Sequence, residues 1–355
     1  MLFVAACDAL SQKDEPQPPP PFVHVVAANV SPQTPLPQDG VVQIAFDRYL
    51  SPLSVNRQSV GLRDLFGGAP NSPIVQYDPV TRVVTMSNPN PGQPWLEVGH
   101  SYEIVFPIAT SDPASFGIRA IDNAPMDPAT GPLGFAIAPP TGNPPASPKI
   151  DFCNDVFPLF AARYQDPNLG NVGGRCTNIA CHGTGSGSAT YAAATGLVLN
   201  SAEGIRHTAL GVQAAETTTG ALSTPLAPQL VFPAGMPIID PGNPGDSYLL
   251  YKLLLPDEDG SLPDAGGAST SYTPSCGSVT APFDYGPGAS FASPDEAARL
   301  AAHVPGRRMP WGDFDAGAID THATPLTLDE IERIRLWITQ GAQVDDCSAC
   351  QATIP

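Results

Sequence analysis

Short apolar runs separated by turn residues recur along the first part of the chain. The clearest runs are Val41–Phe46, Val83–Met86 and Ser101–Phe106, and dipeptides such as Asp78-Pro79 lie between them. Such alternation between turns is typical of half-buried β-strands. The pattern therefore predicts an all-β sandwich of about seven strands over residues 23–137.

The apolar spacing becomes helical after about Ile150. Helices are predicted at 155–164, at 246–255 and after Thr327, where Thr327 and Glu330 form a capping-box pattern and Gly341 supplies a stop. Ile331, Ile334 and Ile338 recur on one face of that last helix, which is expected to pack on the first. Residues 150–355 are thus predicted to form a mainly α domain with long loops. Residues 138–149 lack apolar periodicity and are predicted to be a linker.

Composition narrows the choice of function. A chain of 355 residues favours two domains, and 43 prolines and 33 glycines indicate many turns. The net charge of -18 would repel phosphate backbones, so no nucleic-acid partner is expected. No apolar run reaches the about 20 residues that span a bilayer. A membrane association would therefore require a lipid.

The amino terminus contains a candidate lipid-attachment site. Val4-Ala5-Ala6-Cys7 resembles the lipobox of bacterial lipoproteins, which implies acylation of Cys7 and membrane anchoring. Little of a signal peptide precedes Cys7, so the precursor is expected to begin upstream. Residues 1–22 are then a signal remnant and a proline-rich tether. The alternative is an unmodified cysteine in a disordered start.

The segment Cys176-x4-Cys181-His182 carries the strongest chemistry in the sequence. Two thiols can form thioethers with haem vinyl groups, and the adjacent histidine can ligate the iron. Four residues separate the cysteines, whereas two are commonest. A disulfide loop beside an unrelated histidine and half of a zinc site remain as alternatives.

Four further cysteines form an even set. They are Cys153, Cys276, Cys347 and Cys350. Four cysteines suit structural disulfides in an oxidising compartment and allow three pairings. Cys347-x2-Cys350 also has the spacing of a redox pair or a zinc half-site. His24 and His100 lack neighbours at ligand spacing and are expected to be surface or turn residues.

The first domain resembles the bacterial Ig-like domain of surface-layer and other exported proteins. The matching segments follow the order of that family: Val30–Pro32, Ile44–Asp47, Ser51–Asn56, Tyr77-Asp78, Leu96–Tyr102 and Ala120–Asn123. The resemblance implies an Ig-like sandwich that acts as a spacer or docking domain.

The second domain resembles the cytochrome c-like domain of planctomycetes and myxobacteria. The matching segments are Cys181–Gly183, Gly196–Ser201, Ile239–Leu253, Arg308–Gly312 and Leu326–Ala342. The resemblance implies one covalent haem c held by Cys176 and Cys181, with His182 as proximal iron ligand and Met309 as distal ligand. Met236 is the alternative distal ligand, and His207 and His303 are further ones. An insertion at about 256–306 departs from the family.

These features together predict an exported electron carrier. We expect a lipoprotein in the periplasm or on the cell surface, anchored to the outer membrane, that passes single electrons to an exported redox partner. The protein itself is not expected to be an enzyme, although it could serve as an accessory subunit of an oxidoreductase. The alternative is a structural or adhesive surface lipoprotein whose cytochrome-like domain lacks haem.

Overall fold

The structure is a computed structural model. The residues that it describes are 20–68, 72–90, 93–110, 115–142, 148–161, 163–166, 170–174, 176, 182, 196–215, 232–256, 292–304, 308–309 and 326–347. Strands and helices are numbered below in chain order.

Eight strands form two four-stranded sheets in the first half of the chain. The strands are β1 (Val25–Ala28), β2 (Leu36–Pro37), β3 (Val42–Phe46), β4 (Gly61–Asp64), β5 (Ile74–Asp78), β6 (Val83–Ser87), β7 (Ser101–Val105) and β8 (Leu133–Ala138). One sheet has the order β1-β3-β6-β5, with antiparallel neighbours. The other has the order β2-β8-β7-β4, and only its β2–β8 pair is parallel. The prediction of a β-rich first half is confirmed.

Both sheets contribute to one hydrophobic core. Alternate residues of β7 are buried, namely Tyr102 and Ile104, as the two-residue period of a strand requires. They share a cluster with Ile44 of β3 and Met86 of β6, which belong to the other sheet. Burial of these side chains therefore holds the two sheets together.

The second half is mainly helical. A π-helical turn at Phe152–Val156 leads into α1 (Phe157–Ala161), and β9 (Arg163–Asp166) pairs with β10 (Gly170–Gly174). The later helices are α2 (Ala202–Thr208), α3 (Tyr248–Leu253), α4 (Pro294–His303) and α5 (Leu328–Thr339). The helix predicted at 155–164 begins earlier than expected and ends before β9. The helix α4 lies inside the segment that was predicted as a loop-rich insertion.

The last helix packs on the π-helical turn that leads into α1. Thr327 and Glu330 form the capping box of α5, and Gly341 beyond its end has φ +96°. The ring centroids of Phe152 and Trp337 lie 5.5 Å apart, which joins the turn before α1 to α5.

A buried group of charged side chains connects the two halves. Arg48, which follows β3, places Nε 2.5 Å from Oε2 of Glu296 in α4 and Nη2 2.6 Å from Oδ2 of Asp122. The backbone N–H of Tyr49 also donates to Oε1 of Glu296 at 2.7 Å. Arg48 and Glu296 are both buried, so these contacts form within the protein interior.

The end of β5 forms a second contact between the halves. Arg335 of α5 lies between Glu332 and Asp78, with its Nε 3.3 Å from Oδ2 of Asp78. A 3-10 turn at Pro244–Asp246 approaches so closely that a Cβ on Gly245 would lie 2.7 Å from the carbonyl oxygen of Tyr77. Glycine is therefore needed at this contact.

Candidate functional site

Cys176 lies against the core of the second half. It follows β10, its backbone N–H donates to the carbonyl of Phe160 in α1 at 3.0 Å, and it is 6% exposed. Its cluster also contains Leu199 and Met236. The thiol is thus surrounded by apolar side chains, as one edge of an apolar cofactor requires.

The other end of the Cys176–His182 segment contacts the same region. His182 is half-buried, and its carbonyl accepts a hydrogen bond from the N–H of Leu199 at 2.8 Å. Leu199 and Cys176 belong to one cluster, so both described ends of the segment are in contact with it. Cys181 lies outside the described residues.

The two candidate thioether ligands occupy different environments. Met309 is half-buried, packs against the same cluster and donates its backbone N–H to the carbonyl of Lys252 at 3.3 Å. Met236 is 1% exposed, and its carbonyl accepts from Ala214 N at 2.9 Å. Met236 therefore lies in the interior of the core, while Met309 lies at its boundary.

The two alternative histidines end helices. His207 is exposed in the last turn of α2. His303 lies in the last turn of α4, with its Nδ1 2.9 Å from the carbonyl oxygen of Arg299. The Nδ1 atom of His303 is therefore engaged in a hydrogen bond within α4. Neither position favours these histidines over Met309.

A disulfide joins the turn before α1 to the segment beyond α5. Cys153, in the turn before α1, is bonded to Cys347, beyond α5, and their Cα atoms lie 5.3 Å apart. This pairing selects one of the three possibilities and engages Cys347, so it does not support the zinc half-site. Cys7, Cys276 and Cys350 lie outside the described residues.

A buried carboxylate lies at the start of the helix that contacts Cys176. Asp155 is in the turn that precedes α1, and its Oδ2 accepts from the N–H of Asp151 at 2.8 Å. Burial raises the pKa of Asp155, against the opposing effects of that hydrogen bond and of Arg333. The group caps the start of the helix that holds Cys176 through Phe160.

The histidines of the first half have partners that the sequence spacing does not reveal. His24 lies between Asp47 and Asp127, at 2.9 and 3.5 Å. His100 lies between Asp64 and Glu97, each at 3.1 Å. Both are surface or turn residues, as expected. Only the fold brings Asp47, Asp127 and Asp64 to these histidines, whereas Glu97 is three residues from His100 in the sequence.

The donor set at the core boundary fits a covalent haem in its chemistry. The Cys176 thiol is buried in one apolar cluster, the Met309 thioether packs against it, and the backbone of His182 is bonded to Leu199 of the same cluster. A thiol, an imidazole and a thioether are the groups that attach haem and ligate its iron. Among the described residues, no group of three or more His, Cys, Asp or Glu side chains is arranged to hold a metal ion directly. The same part of the chain contains no helix with the length and apolar character needed to cross a membrane.

Comparisons with known proteins do not assign the chain to a family. No protein-family model matches it, and no curated protein matches it either. Support for a function therefore comes from the residues and contacts described above.

Proposed function

We propose that this protein is an exported c-type cytochrome lipoprotein that carries single electrons through one covalently bound haem c. Its first half is an Ig-like sandwich and its second half a cytochrome c-like domain. The observation that carries the proposal is the position of Cys176 and the two methionines, which belong to or pack against one apolar cluster although they are far apart in sequence. The resemblance to cytochrome c-like domains implies Cys176 and Met309 at one site, with Met236 as an alternative distal ligand.

The residues have distinct roles in this proposal. Cys176 and Cys181 form the thioethers, and His182 is the proximal ligand. Met309 is preferred over Met236 as the distal ligand because it lies at the boundary of the core, where a side chain can face a cofactor while its backbone stays fixed. A haem held by these residues would supply a one-electron iron couple.

The residues around a bound haem would set its reduction potential. Apolar side chains around Cys176 exclude water and lower the local dielectric constant, which disfavours the more highly charged form of a bound group. A thioether ligand also favours the reduced iron more than a second imidazole does. Both effects raise the reduction potential, which suits a carrier that accepts electrons.

Acylation of Cys7 is proposed to anchor the protein to the outer membrane. The tether up to Phe22 would then hold the folded part away from the lipid surface. The electrons pass to or from an exported redox partner. The protein itself is proposed to have no catalytic activity, and an accessory role beside an oxidoreductase is compatible with this arrangement.

Covalent attachment is tested by haem staining after denaturing electrophoresis. The full chain is exported in a host with cytochrome c maturation, beside the variants Cys176→Ser and Cys181→Ser. The wild type is expected to retain the stain, and each variant to lose all or most of it. Cys153→Ser with Cys347→Ser is the matched control, since it removes two cysteines outside the motif and is expected to keep the stain.

The outcome separates the proposal from its alternative. An exported, folded wild type without stain would overturn the electron-transfer proposal and favour the structural or adhesive lipoprotein. Staining that survives in both Cys176→Ser and Cys181→Ser would reject this attachment site.

The distal ligand is tested by a pair of matched variants. Met309→Ala is expected to abolish the weak far-red charge-transfer band of methionine-ligated ferric haem, because the sulfur ligand is removed. Met236→Ala is expected to keep the band and to lower the thermal stability, because it leaves a cavity in the core. The reverse pattern would assign the ligand to Met236.

A further inference from the structure

An exposed apolar patch surrounds His100 on the first half. Phe66, Leu65 and Val98 are 66%, 51% and 45% exposed, although each is large and apolar. Phe66 stacks on His100 with ring centroids 4.8 Å apart and an interplanar angle of 29°. We call these four residues the Phe66 patch. Grouped exposed apolar side chains of this kind mark interaction surfaces more often than single ones do.

A stack of aromatic rings connects the patch to the hydrophobic core. His100 is followed inward by Tyr102, with centroids 6.3 Å apart, and by Phe135, a further 6.1 Å away. Tyr102 and Phe135 belong to the core shared by the two sheets. One face of Phe66 is therefore fixed on a rigid base, and binding to its other face costs little conformational entropy.

Hydrogen bonds fix the turn that presents Phe66. One carboxylate oxygen of Asp64 accepts from the N–H of Phe66 at 2.8 Å, and the other lies 3.1 Å from Nδ1 of His100. The Phe66 N–H is the main cause of the lowered pKa of Asp64. A carboxylate bonded to both residues of the aromatic pair is therefore part of the patch.

The charges around the patch are mainly negative. Glu97 is 73% exposed and lies 3.1 Å from the outer nitrogen of His100. Arg63 is adjacent, but it forms an ion pair with Glu103. Counting Asp64, Glu97, Glu103 and Arg63 gives a local charge of about -2, and the whole chain carries -18.

We propose that the Phe66 patch docks a basic segment of a partner protein, with an arginine side chain placed over Phe66. A guanidinium group stacks on an aromatic face and pairs with a carboxylate at the same time. Phe66 offers the face, and Glu97 offers an exposed carboxylate beside it. Charge complementarity selects a basic partner over an acidic one. The surface is independent of any haem in the second half.

The proposal is tested by NMR titration of the full chain with a short arginine-rich peptide. A peptide with citrulline in place of arginine serves as the uncharged control, and salt is kept at about 0.15 M to suppress long-range attraction. Saturable shifts of the Phe66 and His100 ring signals are expected with the arginine peptide only. Phe66→Ala is expected to weaken binding about two- to fivefold, the range of an exposed cation–π contact.

Two further variants separate this surface from general attraction to an acidic protein. Glu97→Gln is expected to weaken binding as well. Phe116→Ala, which removes a phenylalanine that is 58% exposed elsewhere on the first half, is expected to leave the affinity unchanged.

Equal affinity for Phe66→Ala and wild type would overturn the proposal, because it would show attraction to charge alone. Shifts of the Phe66 ring produced by a neutral oligosaccharide but not by the arginine peptide would also overturn it, in favour of glycan binding.

Discussion

Glu332, a residue of α5, is completely buried. Arg335 forms ion pairs with both Glu332 and Asp78 of β5. Burial raises the pKa of Glu332 to about 7, although Arg335 acts in the opposite direction. Asp78 and Asp329 add to the rise because they are like charges. The carboxyl group is therefore protonated in the folded protein at pH values where it is ionised in the unfolded chain.

This difference predicts how stability depends on pH. From about pH 4.5, the ordinary pKa, to about pH 7, the folded state holds a proton that the unfolded state has lost, so Glu332 lowers the free energy of unfolding as pH rises. Glu332→Gln removes this effect. Relative to wild type, the variant is expected to gain stability from pH 5 to pH 8 by about 2–3 kcal/mol, measured by urea unfolding. A constant difference across that range would contradict the raised pKa.

Arg48 pairs with carboxylates of both halves of the chain. Arg48→Met leaves the buried Glu296 and the half-buried Asp122 with only the more distant Arg299 as a cation, which is expected to cost about 3 kcal/mol of unfolding free energy. The double variant Arg48→Met with Glu296→Gln is expected to recover part of this loss, because fewer uncompensated charges remain. Denaturant unfolding of both proteins measures the difference. Purely additive losses would show that the two side chains do not interact.

Sequence reasoning identified some of these residues and not others. Cys176, Cys181 and His182 are recognisable because the chemistry of attachment needs them close together in the chain. Arg48 and Glu296 are 248 residues apart, and a buried ion pair at that distance leaves no local pattern. Pairing among Cys153, Cys276, Cys347 and Cys350 likewise depends on the fold, since all three combinations suit the sequence.

Among the elements, α5 depends most clearly on its local sequence. Thr327 Oγ1 accepts from the N–H of Glu330 at 3.3 Å, and Glu330 Oε2 accepts from the N–H of Thr327 at 2.8 Å. Thr327→Ala removes one of these bonds and is expected to lower the unfolding free energy by about 1 kcal/mol. Thr327→Ser keeps the hydroxyl and is expected to stay close to wild type in the same denaturant experiment. Equal losses in both variants would point to the lost methyl group instead.

The strands β3, β6 and β7 and the helix α5 could be predicted because each carries a complete local signal. The helix α4 was missed although Ser293 caps it and Pro294, Asp295 and Glu296 form a typical first turn. The glycine- and proline-rich sequence before it obscured this short signal. The predicted helix at 155–164 was too long at its carboxyl end, because β9 pairs with Gly170–Gly174 there. This local strand pairing overrides the helical spacing of the apolar residues.

At the scale of the whole molecule, the two halves share interior contacts. Tyr49, Val80 and Ile121 of the first half belong to the cluster that contains Cys176 and the helices of the second. The buried contacts of Arg48 and Arg335 add to this coupling. Residues of the first half therefore contribute to the hydrophobic core of the second half, in addition to any role of the first half as a spacer.

This coupling predicts one cooperative unfolding transition for the full chain. Differential scanning calorimetry is expected to show a single peak, with equal calorimetric and van't Hoff enthalpies. Arg48→Met is expected to weaken the contact and to broaden or split that peak. Two well-separated transitions in the wild type would show that the halves unfold independently.

The most direct measurement of the central claim is a reduced-minus-oxidised visible spectrum of the full chain after export in a host with cytochrome c maturation. A sharp α-band in the reduced protein, absent from Cys176→Ser with Cys181→Ser, is the expected result for a haem attached at this site. A colourless wild-type protein with an intact unfolding transition would contradict the assignment as a cytochrome.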